Sequence, residues 1–362
     1  KEIEKKSALR GSEILEISPS VRIQKSQGGG GSPVLRGFEA NRVLLVVDGV
    51  RMNNAIYRSG HLQNAITVDP HNIERVEIVF GSSSVGYGSD ALGGVIHYYT
   101  KSPEINRENM FSHEFSSSFN TANSSSVNNL TTSLSFKKWG SITSFSYSNF
   151  GDILSGDNRI HNYSEWGLTN FYSENNRNNY SASPTFNSTP SLQKNTGYNQ
   201  YDLFQKFSIR LPQNMLLNLN LQYSSSSDIP RYDKLSEIKN GALKYSEWYY
   251  GPQERIFISP QLKFFLGKSW LKKGTITGAF QKIKESRINR KFDELRRLYF
   301  NEKVNVFSLN ADFNGSGGSN ISYSYGLELT HNSIDSNAFS IDLVINNERI
   351  SNLINSQSIP SR

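Results

Sequence analysis

The chain has no cysteine, so it has neither a disulfide framework nor a thiolate metal site. No apolar run approaches the roughly 18 residues that a membrane-crossing helix needs. That excludes a helical span but leaves a β-barrel open, because a barrel strand needs only alternation over about ten positions. The formal charge of +7 is spread thinly, and no concentrated basic tract marks a nucleic-acid footprint. Enzyme signatures are missing too. There is no G-x-S-x-G elbow. The run Gly28–Gly31 lacks the Lys-Ser/Thr of a phosphate loop, and Gly86, Gly88, Gly93 and Gly94 do not follow dinucleotide-binding spacing. The six histidines, His61, His71, His97, His113, His161 and His331, include no pair at helical zinc spacing. What the chain does carry is aromatic: 21 Phe, 18 Tyr and 4 Trp within a 36% hydrophobic composition, too apolar for a disordered polymer.

The first hundred residues read differently from the rest. Val43–Val47, ended by Asp48-Gly49, and Val76–Phe80, ended by Gly81, have the pattern of short strands closed by turns. Asp69–Arg75 reads as a turn or single helical turn leading into the second strand. Ser7–Ile17 is a short helical candidate that stops before Pro19. Gly28–Gly31 has the composition of a flexible linker, or of a tight loop needing several positive φ values.

From about Phe111 the period becomes two. Phe111, His113, Phe115 and Phe119 share one face, with serines and Glu114 on the other. Leu217, Leu219, Leu221 and Tyr223 alternate with a mostly polar set, Leu216, Asn218, Asn220 and Gln222. The expected strands after residue 110 number about ten, among them 255–266, 274–284, 302–313, 320–330 and 338–346. Short turns at 137–140 and 211–214 alternate with long polar connections at 151–198, 225–253 and 285–301. Short turns at one end and long loops at the other favour an outer-membrane barrel over a soluble sandwich. The expected fold is therefore a mixed α/β domain over 1–103, followed over 104–362 by transmembrane antiparallel β-barrel strands. A barrel of ten strands has no room for a folded domain, whereas a lumen that holds one needs about 22 strands, or some 550 residues at this spacing. Either the N-terminal region lies outside a small barrel, or the sequence is part of a longer one.

Four linked blocks carry a family resemblance. They are Val34-Leu35-Arg36-Gly37-Phe38, Arg42–Arg51 with Asp48-Gly49, Ile73–Val79, and Gly81–Ile96 with Gly88, Gly93 and Gly94. In this order and spacing they resemble the plug domain of TonB-dependent outer-membrane receptors. The resemblance implies a plug inside a 22-stranded barrel, an outer-membrane location, contact with outer-membrane lipid, and a TonB-type energy-coupling complex of the inner membrane as partner. It also allows for a haem- or iron-carrying protein as partner, and implies no permanently bound cofactor. No signal peptide or coupling box precedes the first plug helix and no closing barrel half follows Arg362, so a fragment is expected. Asn53–Asn64, Asp228–Asp233 and Glu247–Gln253 are similar to the haem and haemoglobin receptor branch. Haem is then the leading transported ligand, a ferric siderophore or other large nutrient the alternative, and a non-transporting adhesin barrel a remote one.

Residue roles follow from this resemblance. Arg36, Arg75 and Glu77 are expected to tie plug to wall through charged partners, since a charge in the lumen needs pairing. Salt bridges within the plug are the competing assignment. Asp48-Gly49 reads as a hairpin turn, and Gly88, Gly93 and Gly94 permit tight turns and close packing. Tyr57, Arg58 and His61 cluster at the plug apex, where a ring can stack on a porphyrin, imidazole or phenolate can ligate iron, and Arg can pair with a propionate.

Overall fold

The computed structural model describes residues 9–25, 28–56, 65–81, 84–159, 163–174, 183–292, 294–317, 321–343 and 347–349. The N-terminal region is built on a helix, α1 (Gly11–Leu15), and a hairpin, β1 (Val21–Gln24) with β2 (Ser32–Leu35). A four-stranded sheet follows in the order β4–β3–β6–β5, with β3 (Val43–Val47), β4 (Val50–Arg51), β5 (Ile73–Phe80) and β6 (Gly94–Thr100). β3 runs parallel to β6 and is buried along its whole length. Both of its faces are covered, which is why it reads as unbroken Val and Leu. Val43, Leu45 and Val47 pack with Ile14, Leu35, Ile96 and Tyr98 on one side. Leu44 and Val46 pack with Ala91 and Val95 on the other. Asp69 accepts from the His71 backbone N–H at 3.0 Å and caps the single turn Pro70–Asn72.

The remainder is dominated by one antiparallel sheet, the wall, with three two-stranded ribbons in its long connections. Its ten path strands are β7 (Met110–Asn120), β8 (Ser125–Ser135), β9 (Trp139–Phe150), β10 (Tyr198–Leu211), β11 (Met215–Ser226), β12 (Glu254–Lys268), β13 (Leu271–Lys291), β14 (Arg296–Ser316), β15 (Ser322–Asp342) and β16 (Asn347–Arg349), each paired with the next. Short strands Ile229–Pro230 and Tyr245–Tyr250 add to it beside β13. The wall is inverted relative to a soluble protein. On β10, Gln200, Asp202, Lys206 and Ser208 are buried against the N-terminal domain, while Tyr201, Leu203 and Ile209 on the alternate face are exposed. Polar inside and apolar outside is the alternation of a barrel strand in lipid. Exposed rings collect at the short-turn end. Trp139 stacks on Phe136, and the Tyr323 and Tyr325 hydroxyls donate to the Ser269 and Trp270 carbonyls. This is the girdle expected at a membrane interface.

Several expectations need correction. The connection expected at 285–301 is mostly strand, because β13 continues to Lys291 and β14 begins at Arg296. Their polar residues there alternate across two faces rather than forming a loop. The two strands expected at 320–330 and 338–346 are instead one strand, β15. Helix α1 is shorter than the Ser7–Ile17 segment. Gly28–Gly31 is neither a linker nor a run of positive φ values. Gly29, Gly30 and Gly31 are buried. A Cβ at Gly31 would overlap the Ile23 side chain, so the close approach there requires glycine, and one at Gly29 would lie 3.0 Å from Ile229 and Ile66.

Candidate functional site

The interface between the N-terminal domain and the wall centres on the turn between β3 and β4. Asp48 and Gly49 both have positive φ, 49° and 88°, as a two-residue hairpin turn of this hand requires. The turn points the Asp48 carboxylate at the wall. Oδ2 accepts from Lys206 Nζ at 3.0 Å, Asn220 Nδ2 at 2.8 Å and Thr100 Oγ1 at 2.6 Å, while Oδ1 accepts from the Thr100 N–H at 2.9 Å. Lys206 also donates to Thr100 Oγ1 and Ser102 Oγ. Its side chain is 7% exposed and that of Asp48 14%, so the pair is nearly desolvated. The turn's carbonyls are taken as well. Gln261 Nε2 donates to the Asp48 carbonyl at 3.3 Å and Asn310 Nδ2 to that of Gly49 at 2.9 Å. Four wall strands, β10, β11, β12 and β14, thus converge on two residues.

His97 closes the turn from behind. The Gly49 N–H donates to its Nε2 at 3.0 Å, so the proton of the neutral ring sits on Nδ1. The ring stacks on Tyr99 with centroids 3.9 Å apart. Burial pushes the imidazole pKa down to about 4, outweighing the nearby Asp48 and Glu77 carboxylates.

A second tie lies at Arg51. Its Nε is 3.2 Å from Glu328 on β15, it donates to the Tyr87 and Ser89 carbonyls, and Gln281 of β13 donates to its own carbonyl at 2.8 Å. A third is Asp69, whose Oδ2 accepts from Ser146 of β9 at 2.6 Å. Arg10 donates to the Tyr198 hydroxyl and lies over the Phe150 ring. Lys206, Gln261, Gln281, Asn310 and Glu328 were missed by sequence reasoning. The available signal was their place on the polar face of an alternating strand, above all a lone lysine between Phe204 and Ser208.

The structure gives Arg36, Arg75 and Glu77 partners inside the N-terminal domain. Arg36 has φ 49° in the turn Leu35–Phe38, ahead of Gly37 at 87°, and lies over the Phe80 ring. Arg75 Nε is 2.9 Å from Glu77 and lies over Tyr99, whose hydroxyl donates to Glu77. Hydrogen bonds from Arg75 and then Tyr99 hold the Glu77 carboxyl below its usual range. Gly88 (φ 77°) abuts Glu328 and Arg51. A Cβ at Gly93 would overlap Phe38, and one at Gly94 (φ 146°) the Val79 carbonyl.

Tyr57, Arg58 and His61 lie outside the described residues, but both feet of their segment are seated on the wall. Ile56 is buried against Val304 and Val306 of β14. Ile66 is buried with Val127, Phe150, Tyr198, Ile229 and Tyr250. Phe150 and Tyr198 end and begin strands joined by a long connection, so the Ile66 foot sits toward the long-loop end.

Residues 1–95 match the model of the TonB-dependent receptor plug domain. Over 105 residues the chain is 42% identical to a vitamin B12 transporter, BtuB, of Vibrio vulnificus, covering 28% of this chain and 17% of that protein. Over 95 residues it is 41% identical to a hemin receptor of Yersinia enterocolitica, covering 26% of this chain and 13% of that protein. The matched stretch is thus less than a fifth of either relative. Among solved structures, the copper transporter OprC superposes with a TM-score of 0.68 at 13% identity, covering 95% of this chain and 47% of that one. The FrpB iron transporter of Neisseria meningitidis superposes with a TM-score of 0.67 at 13% identity, covering 92% and 48%. Residues 1–95 thus belong with the plug domains of TonB-dependent receptors, and the plug-and-wall arrangement of the chain is matched in fold by solved outer-membrane transporters.

Proposed function

We propose that the complete protein is an energy-coupled importer of a large iron-related nutrient: a ferric siderophore, haem or another metal chelate. The observation that carries this reading is the plug seated on the polar face of the wall through the desolvated Asp48–Lys206 network. A barrel wide enough to hold such a plug suits a solute too large for a narrow open pore, and buried polar ties of this kind hold the passage shut until work is done on the plug. That work fits a TonB-type complex of the inner membrane as partner. The chelate class rests on relatives named for iron, hemin and siderophore ligands. Plug identity is nearly equal for the B12 and hemin relatives, at 42% and 41%, so it does not select haem among them.

Within this reading, Tyr57, Arg58 and His61 form the plug-side floor of the ligand vestibule. Support comes from the anchored feet of their segment, Ile56 and Ile66, and from the chemistry of the three side chains. The test is calorimetric titration of the complete receptor with a ferric siderophore, hemin and cyanocobalamin, repeated with Arg58→Ala and His61→Ala. One lost charged contact lowers affinity about ten- to a hundredfold. Unchanged affinity in both variants removes these residues from the site. Tight hemin binding with no siderophore binding narrows the ligand to haem.

A further inference from the structure

Two carboxyl groups face each other at one corner of the plug seat with no cation between them. Asp202 projects from the polar face of β10, and Asp69 stands three residues after the Ile66 foot of the plug. Asp202 is 6% exposed and Asp69 8%. Ser146, the cross-strand neighbour of Asp202, donates to Asp69 Oδ2 at 2.6 Å. Both acids line the same two cavities, each of about 20 Å³, which is room for about one water molecule apiece. Negative charge on both would go largely unhydrated.

The hydrogen bonds divide unequally between the two. Asp69 Oδ1 accepts from the His71 N–H at 3.0 Å and lies 3.1 Å from His71 Nδ1, while Oδ2 accepts from Asn72 Nδ2 at 2.8 Å as well as from Ser146. Asp202 has the Ser224 hydroxyl and a shared amide. Gln200 Nε2 lies 3.1 and 3.0 Å from its two oxygens, but that nitrogen also donates to the Ile66 carbonyl of the plug at 2.9 Å and has only two hydrogens. The cations packed around the corner are engaged elsewhere. Arg10 of α1 pairs with Glu13 at 2.7 Å and donates to the Tyr198 hydroxyl. Arg255, in the same row two strands away, donates to Gln281, and Lys206 is held by Asp48. His71 faces Asp69. Among the described residues, the charge that acts on Asp202 is that of Asp69.

We infer that Asp202 carries a proton while the plug is seated and that losing it loosens the seat, so that this corner is a pH-sensitive latch. Of two carboxyl groups sharing a desolvated site, one stays neutral, and the better-bonded Asp69 keeps the charge. With Asp202 neutral, the Gln200 amide holds the Ile66 carbonyl. Ionised, Asp202 repels Asp69 and competes for that amide, so the Ile66 foot and the turn at Asp69 leave the wall together. Once the plug has left, Asp202 meets water and ionises as an ordinary carboxyl does. The seated state therefore binds one more proton than the released state, and seating weakens as pH rises. The inference rests on the seat itself and stands whichever nutrient is carried.

The experiment is hydrogen exchange of the complete receptor between pH 7 and 8.5, followed by mass spectrometry on peptides spanning 65–73. Rates are corrected for the intrinsic pH dependence of exchange, and the range lies above that in which His97 titrates. Opening of this segment in the wild type is expected to rise about tenfold across the range. Asp202→Asn, neutral at every pH and of the same shape, abolishes the rise, whereas Asp157→Asn in the long connection 151–198 keeps it. The readout is a slope, so a variant whose seat is uniformly weaker still reports. No rise in the wild type overturns the proposal, and so does an equal rise in Asp202→Asn.

Discussion

Replacing Asp48 by Asn in the complete receptor probes the plug seat with little change of shape. Asn tolerates the positive φ of this turn and its one carbonyl oxygen still accepts from the Thr100 N–H, but its amide NH2 stands where Oδ2 accepted from Lys206 and Asn220, so the charge opposite Lys206 and both of those hydrogen bonds are lost. The Lys206 ammonium then keeps Thr100 and Ser102 oxygens but no counter-charge in a nearly desolvated site. Breaking one partner of such a pair costs about 3–5 kcal/mol, and the surviving hydrogen bonds bring the expected loss to roughly 3 kcal/mol. Lys206→Met removes the stranded charge, so the double variant should recover about 2 kcal/mol of that loss. Hydrogen exchange followed by mass spectrometry on peptides spanning 43–52 and 94–102 reads the seat directly. A loss of 3 kcal/mol opens it about a hundredfold more often. Strictly additive single and double variants, or a change in exchange below about threefold, would refute the reasoning.

Further outcomes follow from the same interface. His97 is neutral in the folded plug, with its pKa pushed down to about 4. Below about pH 6.5 the unfolded chain binds a proton that the plug does not, so plug stability falls as pH drops from about 6.5 toward 4, by roughly 3 kcal/mol in all. Thermal unfolding of wild type and His97→Gln across that range should show the wild type losing more. Parallel curves would exclude His97 as the cause. Gly94→Ala must place a Cβ against the Val79 carbonyl at φ 146°, and should destabilise the plug by about 1–3 kcal/mol in denaturant unfolding. Gly37→Ala, also at positive φ but with open space around its Cβ position, should cost less.

Sequence reading recovered what is local and periodic. β3 was legible because five apolar residues precede Asp48-Gly49, and the wall strands because their period is two and their polar face is Ser and Asn. The extent of β13, β14 and β15 was not legible. Toward their long-loop ends their residues are polar on one or both faces, and the alternation that marks a strand fades while the hydrogen-bond ladder continues. The burial of Gly29–Gly31 was hidden for a related reason, since the neighbours that crowd Gly29, Ile66 and Ile229, lie far along the chain. The site was legible on the plug side only. Asp48-Gly49 stands out as a turn, but its meaning depends on Lys206, Asn220, Gln261 and Asn310, which register alone brings to it. Arg75 and Glu77 stood out as charges, yet two residues apart on one strand face they satisfy each other.

Uptake of radiolabelled iron by cells carrying the complete receptor tests the central claim most directly. The cells are offered a ferric siderophore and hemin in turn, with and without a protonophore that collapses the inner-membrane gradient. The account predicts receptor-dependent uptake of at least one of these chelates that stops when the gradient is lost. Uptake that persists with the protonophore, or receptor-independent accumulation of both, would contradict it.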